Sequence, residues 1–503
     1  MKRYFVSLLC ILSLLALPAC RKEIIVPPED TDPPSGEVDP GGEDPGGGEE
    51  PGEGDPVDFK VEYPATCGIS YLYDTGDILP EMHISVPLEE WNKLLDHYDE
   101  DKNNKKSVLC NVRYVKGGEE SVVEGAALRL RGNTSRRRPE GERGTHHTSG
   151  KTHWRRCHFQ INFHKYYKDE AHEIQGARKV ILKFFNGDAA YVREIYCYDL
   201  FRRAGVWTAS YSTYCRVFVQ VEGDPEEAYF GVYSMIEPVD ERYLKVRKDE
   251  FGSRDGYLWK CRYGASLNPS KGGSIGPDNE EGIEYTYELK TRTEELDAAQ
   301  AVLKDFMNKF NSLSGPAFHD WVARVCDVQL LLRTYAVNVA VGMWDDYWNN
   351  TNNYYIYFTP DEGEGYRFFF IPYDYDNTLG TSLACGVQLD AAFQNPLHWG
   401  VDSNPLIYKI LQYDDYLQIY CEELLRLIDP GYKLLWYEYS GERISAWEAM
   451  IAPYIRNDTG EGQSVQDIPA TWGNRSQYRI LDPSSPNNYF KVKAMSIENY
   501  CGK

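Results

Sequence analysis

Among the twelve cysteines of this 503-residue chain there is no Cys-x-x-Cys pair, and its ten histidines show no ligand spacing. That excludes the usual structural zinc modules. The ten cysteines after Cys20 are scattered from Cys67 to Cys501 and read mostly as buried thiols. Beyond the first twenty residues, no stretch is long and apolar enough to span a membrane as a helix. Positive charge is scarce: 54 Lys and Arg stand against 77 Asp and Glu, a net of -23. This balance argues against a nucleic-acid partner. No spacing singles out a carboxylate pair for glycoside hydrolysis. The one basic run, Arg136-Arg137-Arg138, reads as a solvated loop, as does His146-His147 in its polar, Gly-rich setting.

What is present begins with a leader. MKRYFVSLLCILSLLALPAC has a Lys-Arg start, a short apolar run and Leu-Pro-Ala-Cys. Residues 1–20 therefore read as a lipoprotein signal peptide, with Cys20 lipidated. Residues 21–58 are rich in Pro, Gly and acid, with 13 acidic and 2 basic residues for a net of -11. Such a segment buries no core and reads as a disordered, self-repelling linker. The expectation is an exported protein, lipid-anchored to the cell envelope. Arg21-Lys22-Glu23 after the cysteine points to display on the outer-membrane surface.

Residues 59–503 are left to fold, more than one small module needs. Runs rich in Val, Ile, Phe and Tyr predict strands at VLCNVRYV, GAALRLRG, CHFQINFH, KVILKFF, YCRVFVQV and YFGVYSMIE. One helix interrupts them, at 189–205, with apolar residues at helical spacing and a Gly stop. Past Glu237 the pattern turns helical, at 295–313, 328–343, 405–428 and 442–457, broken by a single hairpin of NYYIYF and YRFFFIPYD. The fold class predicted is α+β, a β-rich first half before a mainly helical second half, with the change near 237.

Two polar clusters flank that hairpin. MWDDYWNNTNNYY places Asp345, Asp346, Asn350 and Asn353 where an apolar helix ends and a strand begins. YDYDN places Asp374 and Asp376 where the second strand ends. Phosphoryl transfer needs a carboxylate to orient the attacking hydroxyl, plus an Asn and a second carboxylate to hold metal on the phosphates. Oxygen-only ligands suit Mg²⁺ or Mn²⁺. Singly, each of these residues is an ordinary turn former.

The motifs LRLRGNTSR, CHFQINF, FFNGDAAYVREIYCYDLFRRAGV, YFGVYSMIEPVDERYL, MWDDYWNNTNNYYIYF and FFFIPYDYDNTLG occur in one order over about residues 120–385. In this the sequence resembles the CotH kinase family, which is built on an atypical two-lobed protein-kinase-like fold. The resemblance implies ATP-dependent phosphorylation of Ser or Thr on an acceptor protein that it does not name. It puts the catalytic Asp on Asp345 and the metal-binding Asp on Asp374, with Asp376 beside it. The metal Asn falls on Asn353 or, by the shorter motif spacing, on Asn350.

On the nucleotide side, Arg156 stands where relatives often carry Lys before the matching strand, and Lys183 and Lys260 are substitutes. Arg131 is placed to cradle phosphate with the backbone amides of a Gly-rich turn. Glu194, on the helix after KVILKFF, is placed to face a phosphate-binding Lys, and Arg193 stands beside it. Glu237, at the end of a strand, marks where an adenine would lie. A second class of function stays open: a non-catalytic adhesin or structural lipoprotein on the same scaffold, which the acidic stalk, the lipid and the many aromatics would suit.

Overall fold

Apolar residues alternate along the strands of the N-terminal half, and the strands they form close on themselves. The computed structural model describes residues 68–150, 153–380, 390–468 and 478–502, and Pro56–Lys503 forms one compact unit. The signal and linker lie outside the described residues. Strands β1 (Glu81–Val86), β2 (Val108–Lys116), β3 (Glu119–Arg131), β4 (His158–Asn162), β5 (Lys179–Phe184), β6 (Ser212–Val221) and β7 (Ala228–Ile236) make a barrel in the order β1-β2-β3-β4-β5-β7-β6. All pairings are antiparallel except the closing one, β1 with β6, which is parallel. Met82, Ile84, Val112, Leu128, Phe159, Leu182, Phe184, Val217 and Phe230 are among the residues filling its interior. The side-chain period of two then sends Ile181 and Lys183 to the outer face of β5.

Against that outer face packs a helix, Arg193–Arg203, shorter than the predicted 189–205. Residues 189–192 instead form a turn held by Asp188, whose carboxylate accepts from the backbone N–H groups of Val192 and Arg193. The second half carries more β structure than a single hairpin. β8 (Tyr257–Cys261), β9 (Ile275–Pro277) and β10 (Tyr287–Leu289) join β11 (Tyr354–Asp361) and β12 (Gly365–Pro372) in one sheet ordered β12-β11-β8-β10-β9. The added strands escape sequence reasoning because they are three to five residues long. Their partners are also remote: β11 pairs with β8 some hundred residues upstream.

The helices Leu296–Ser312, Gly315–Val325, Val328–Ala340, Asp414–Ile428, Tyr437–Ile451 and Tyr489–Cys501 surround that sheet in a second apolar core. The predicted 405–428 helix is two, Pro405–Ile410 and Asp414–Ile428, the latter opening on two aspartates that suit a helix N-terminus. The buried helix Val328–Ala340 starts under an Asp327 side-chain cap and stops before Gly342. Gly342 has φ +69°, and a Cβ there would meet the Tyr489 hydroxyl at 2.5 Å. This stop aims the next residues, Met343 to Asp346, at the site. No described helix is long and apolar enough to cross a membrane.

Candidate active site

A lysine inside an apolar strand needs a reason to be there. Lys183, on the outer face of β5, finds it in three carboxylates. Its Nζ lies 2.8 Å from Glu194, 2.5 Å from Asp374 and 3.4 Å from Asp376. Glu194 sits in the first turn of helix Arg193–Arg203, where the helix dipole favours an anion. Burial works against the Lys183 charge, but Asp374, Asp376 and Glu194 outweigh it and hold the ammonium well above its ordinary value. Burial raises the Glu194 carboxyl, with Lys183 opposing.

Asp374 arrives from the opposite end of the sequence. It follows β12 with φ +68°, a strained conformation for a residue with a Cβ, of a kind that clusters at functional sites. Its N–H donates to the Tyr198 hydroxyl of the helix that carries Glu194. Burial opposes its ionisation, yet Lys183 wins and keeps the carboxyl below its ordinary range. Asp376 goes the other way. Burial raises it, and Asp374 and Glu194 add to the rise against the pull of Lys183. Its side chain keeps 38% of its surface in solvent, which moderates that shift.

The aspartate pair at the other cluster divides its work. Asp345 is ringed by amides: Asn350 Nδ2 at 2.5 Å, Asn352 Nδ2 at 3.2 Å and Asn353 Nδ2 at 2.9 Å. Burial raises its carboxyl, the Asn350 and Asn352 hydrogen bonds oppose this, and the charge of Asp374 adds to the rise. Asp346 turns into the core. It accepts from the Asn349 N–H and from Asn338 Nδ2 at 2.6 Å, and burial pushes its carboxyl up to about 7. Asn338 Oδ1 in turn accepts from the Tyr375 hydroxyl at 2.7 Å. One amide on the buried helix therefore ties the Asp345 loop to the Asp374–Asp376 segment. Sequence reasoning missed Asn338; a polar residue in the apolar run Val328–Ala340 was its signal.

The other residues singled out fall in different places. Arg131, at the end of β3, reaches the site through the Tyr373 hydroxyl at 2.6 Å. Arg156 does not join it. Buried, it hydrogen-bonds the Tyr191 hydroxyl, and its backbone N–H donates to Glu461, anchoring the segment after helix Tyr437–Ile451. Glu237 is buried in an ion pair with Arg247 at 2.7 Å and accepts from the Tyr211 N–H. Arg193 pairs with Asp188 in the core.

Two loops read as solvated differ from expectation. Arg138 is buried on Asp99, and His147 is enclosed between Glu140 and Asp224, because loop 133–150 folds back on helix Leu88–Glu100. His146 stays exposed. Seven of the eight described cysteines are buried and none forms a disulfide.

A family model described as CotH kinase protein matches residues 128–481. The chain belongs to the CotH kinase family. The match runs about a hundred residues past the motif-bearing region that ends near 385, so the helices Pro405–Ile410, Asp414–Ile428 and Tyr437–Ile451 fall within the CotH match as well. No curated protein matches the chain. Among the described residues, no three His, Cys, Asp or Glu side chains group to hold a metal by themselves. Asp374 and Asp376 would thus need further oxygen donors, from amides, water or a substrate's phosphates. Asn350 and Asn353 fit that need: their amide nitrogens are engaged on Asp345, which leaves their hard oxygens as donors suited to Mg²⁺ or Mn²⁺.

Proposed function

We propose that this CotH domain transfers the terminal phosphoryl group of ATP to Ser or Thr hydroxyls of an acceptor protein, with a divalent metal. The observation that carries this is the meeting of Lys183 with Glu194 and Asp374 beside the Asp345–asparagine cluster. A strand Lys paired to a helix Glu, a carboxylate after a hairpin, and an Asp with an Asn in the loop after a buried helix are the parts that protein kinases use. On this reading the barrel sheet and helix Arg193–Arg203 form the nucleotide-side lobe, and residues 328–376 supply the catalytic one.

Lys183 is a fixed cation for phosphate oxygens, oriented by Glu194. Asp345 accepts the proton of the attacking hydroxyl; its raised carboxyl is a better base than a solvated one. The asparagines hold Asp345 in place. Asp374 and Asp376, with Asn353 or Asn350, would hold Mg²⁺ or Mn²⁺, which when bound neutralises phosphate charge. Export and anchoring through a lipid on Cys20 complete the proposal. Replacing Cys20 by Ala should move the protein from the membrane to the soluble fraction.

The deciding test is calorimetry of the purified full chain with ATP and Mg²⁺ or Mn²⁺, beside Asp374→Ala. Metal-dependent binding lost in the variant supports a nucleotide site, and a phosphotransfer screen with Asp345→Ala follows. Absence of binding with either metal, in protein shown to be folded, sinks the reading in favour of a surface-binding module.

A further inference from the structure

Charge around Asp374 is unevenly matched. Lys183 faces three carboxylates. Arg131 and Lys260, whose charges act on Asp374 from β3 and β8, form no ion pair with any described carboxylate. The one hydrogen bond of the Arg131 guanidinium goes to the Tyr373 phenol, and its Nη1 is buried without a partner. Lys260 Nζ lies 5.2 Å from the centre of the same Tyr373 ring and makes no ion pair among the described residues.

The nearest candidate to neutralise Lys260 is Glu288, its cross-strand neighbour on β10. Glu288 is already engaged by Lys290 at 3.1 Å, Arg262 at 3.2 Å and Lys105 at 3.4 Å. Two more cations of β3 and its following loop also lack carboxylates. Arg129 bonds Gln160, and Arg136 bonds the carbonyls of Gly132, Lys102 and Asn104. Burial and then the Arg262 and Arg131 charges pull the Lys260 ammonium well below its ordinary value. Guanidinium groups do not discharge, so the repulsion falls on the Lys260 ammonium, and an entering anion would relieve it.

We propose that Arg131 and Lys260 form an oxyanion subsite that takes a phosphate group separately from the Lys183–Asp374 centre. The Tyr373 ring holds the two cations at one place, and the buried Nη1 supplies a donor with nothing else to bind. A phosphate offers the acceptor oxygens and negative charge that both lack. The group has two possible sources, the polyphosphate tail of the nucleotide or a phosphorylated side chain on the acceptor. Only this choice of source rests on the phosphoryl-transfer reading; the subsite itself does not.

The test titrates inorganic pyrophosphate into the full chain in EDTA at low ionic strength. Wild type binds, Lys260→Met weakens binding at least tenfold, and Asp374→Ala does not weaken it. Lys260→Gln repeats the measurement, with circular dichroism confirming the fold of each variant. Mg²⁺·ATP and O-phospho-L-serine are then titrated separately. A tenfold loss in Lys260→Met for the first names the nucleotide tail, and for the second the acceptor. Pyrophosphate binding without any ATP binding would defeat the kinase reading and leave the subsite standing. Failure of wild type to bind pyrophosphate, or binding by both Lys260 variants as tight as that of wild type, overturns the proposal.

Discussion

Lys183 Nζ and the Asp374 carboxylate meet at 2.5 Å across 191 positions of sequence. The contact joins the barrel to the segment after the β11–β12 hairpin. It also places one cation among three carboxylates, an arrangement whose balance can be tested by changing either sign.

Lys183→Met removes the only ammonium from that group. The expected loss is about 3–5 kcal/mol at pH 7, as for breaking a buried ion pair on one side. Glu194→Gln should cost less, because Lys183 keeps Asp374 and Asp376. Urea unfolding measures both. The Lys183→Met loss should shrink at pH 5, where crowded carboxyls take up protons, and Mg²⁺ should restore part of it. Unchanged stability in Lys183→Met would contradict the buried-cluster account.

Arg156→Met separates anchoring from nucleotide binding. Arg156 holds Tyr191 and the Glu461 segment rather than the carboxylates. Thermal unfolding should show a loss of about 1–3 kcal/mol, from the unmet hydrogen bonds of its partners. Nucleotide affinity by calorimetry should match wild type. A variant that stays fully stable but loses nucleotide would return Arg156 to the binding site.

Asn338→Leu cuts the bridge between the two motif segments, taking the Asn338 hydrogen bond from Asp346 Oδ2 and the acceptor from the Tyr375 hydroxyl, while Asp346 keeps the Asn349 N–H. The expected cost is about 2–4 kcal/mol. Metal-dependent nucleotide affinity should fall with it, because the Asp345 and Asp374 loops lose their common support. Tyr375→Phe, which removes one arm only, should cost less on both measurements.

Glu448 gives a pH signature outside the site. Burial, with Asp467 and Asp188 nearby, pushes its carboxyl up to about 7, and Oε1 has no partner. A raised acid favours the fold below its unfolded value, near 4.5, and that contribution is lost as pH rises through about 7. Glu448→Gln does not titrate. It should gain about 1–2 kcal/mol on wild type between pH 5 and pH 8, allowing for screening at a half-buried position. Melting curves across that range that run parallel would refute the shift.

Metal affinity should also rise with pH. Asp376 is raised, so its proton competes with a cation, whereas Asp374 is lowered and already ionised. Each proton displaced adds at most about tenfold per pH unit. Calorimetry with Mn²⁺ at pH 6 and pH 8 measures the slope, and Asp376→Asn should flatten it.

Much of the site could be seen in the chain itself. Asp345, Asn350, Asn353, Asp374 and Asp376 stand at the mouths of aromatic strands, and strand mouths are where alternating burial stops and polar groups gather. Strands β2 to β7 and the helix carrying Glu194 were equally visible, because each is written in local periodicity, whereas β1, which closes the barrel on β6, was not. Asp345 and Asp346 were not separable in this way. Adjacent residues in a loop point in directions that only the packing sets, and here Asn338 draws Asp346 inward while the other amides gather on Asp345.

The sequence by itself determined the acidic composition of residues 21–58, the α+β character and the polar clusters, since composition and period act over a few residues. Only the tertiary structure decided that the first strands close into a barrel and that β8, β9 and β10 extend the hairpin. It also decided that Lys183, not Arg156, faces Glu194 and Asp374. The reason is physical: a lysine's partner is whichever carboxylate the fold brings within a few ångströms, and strand pairing across hundreds of residues leaves no local trace.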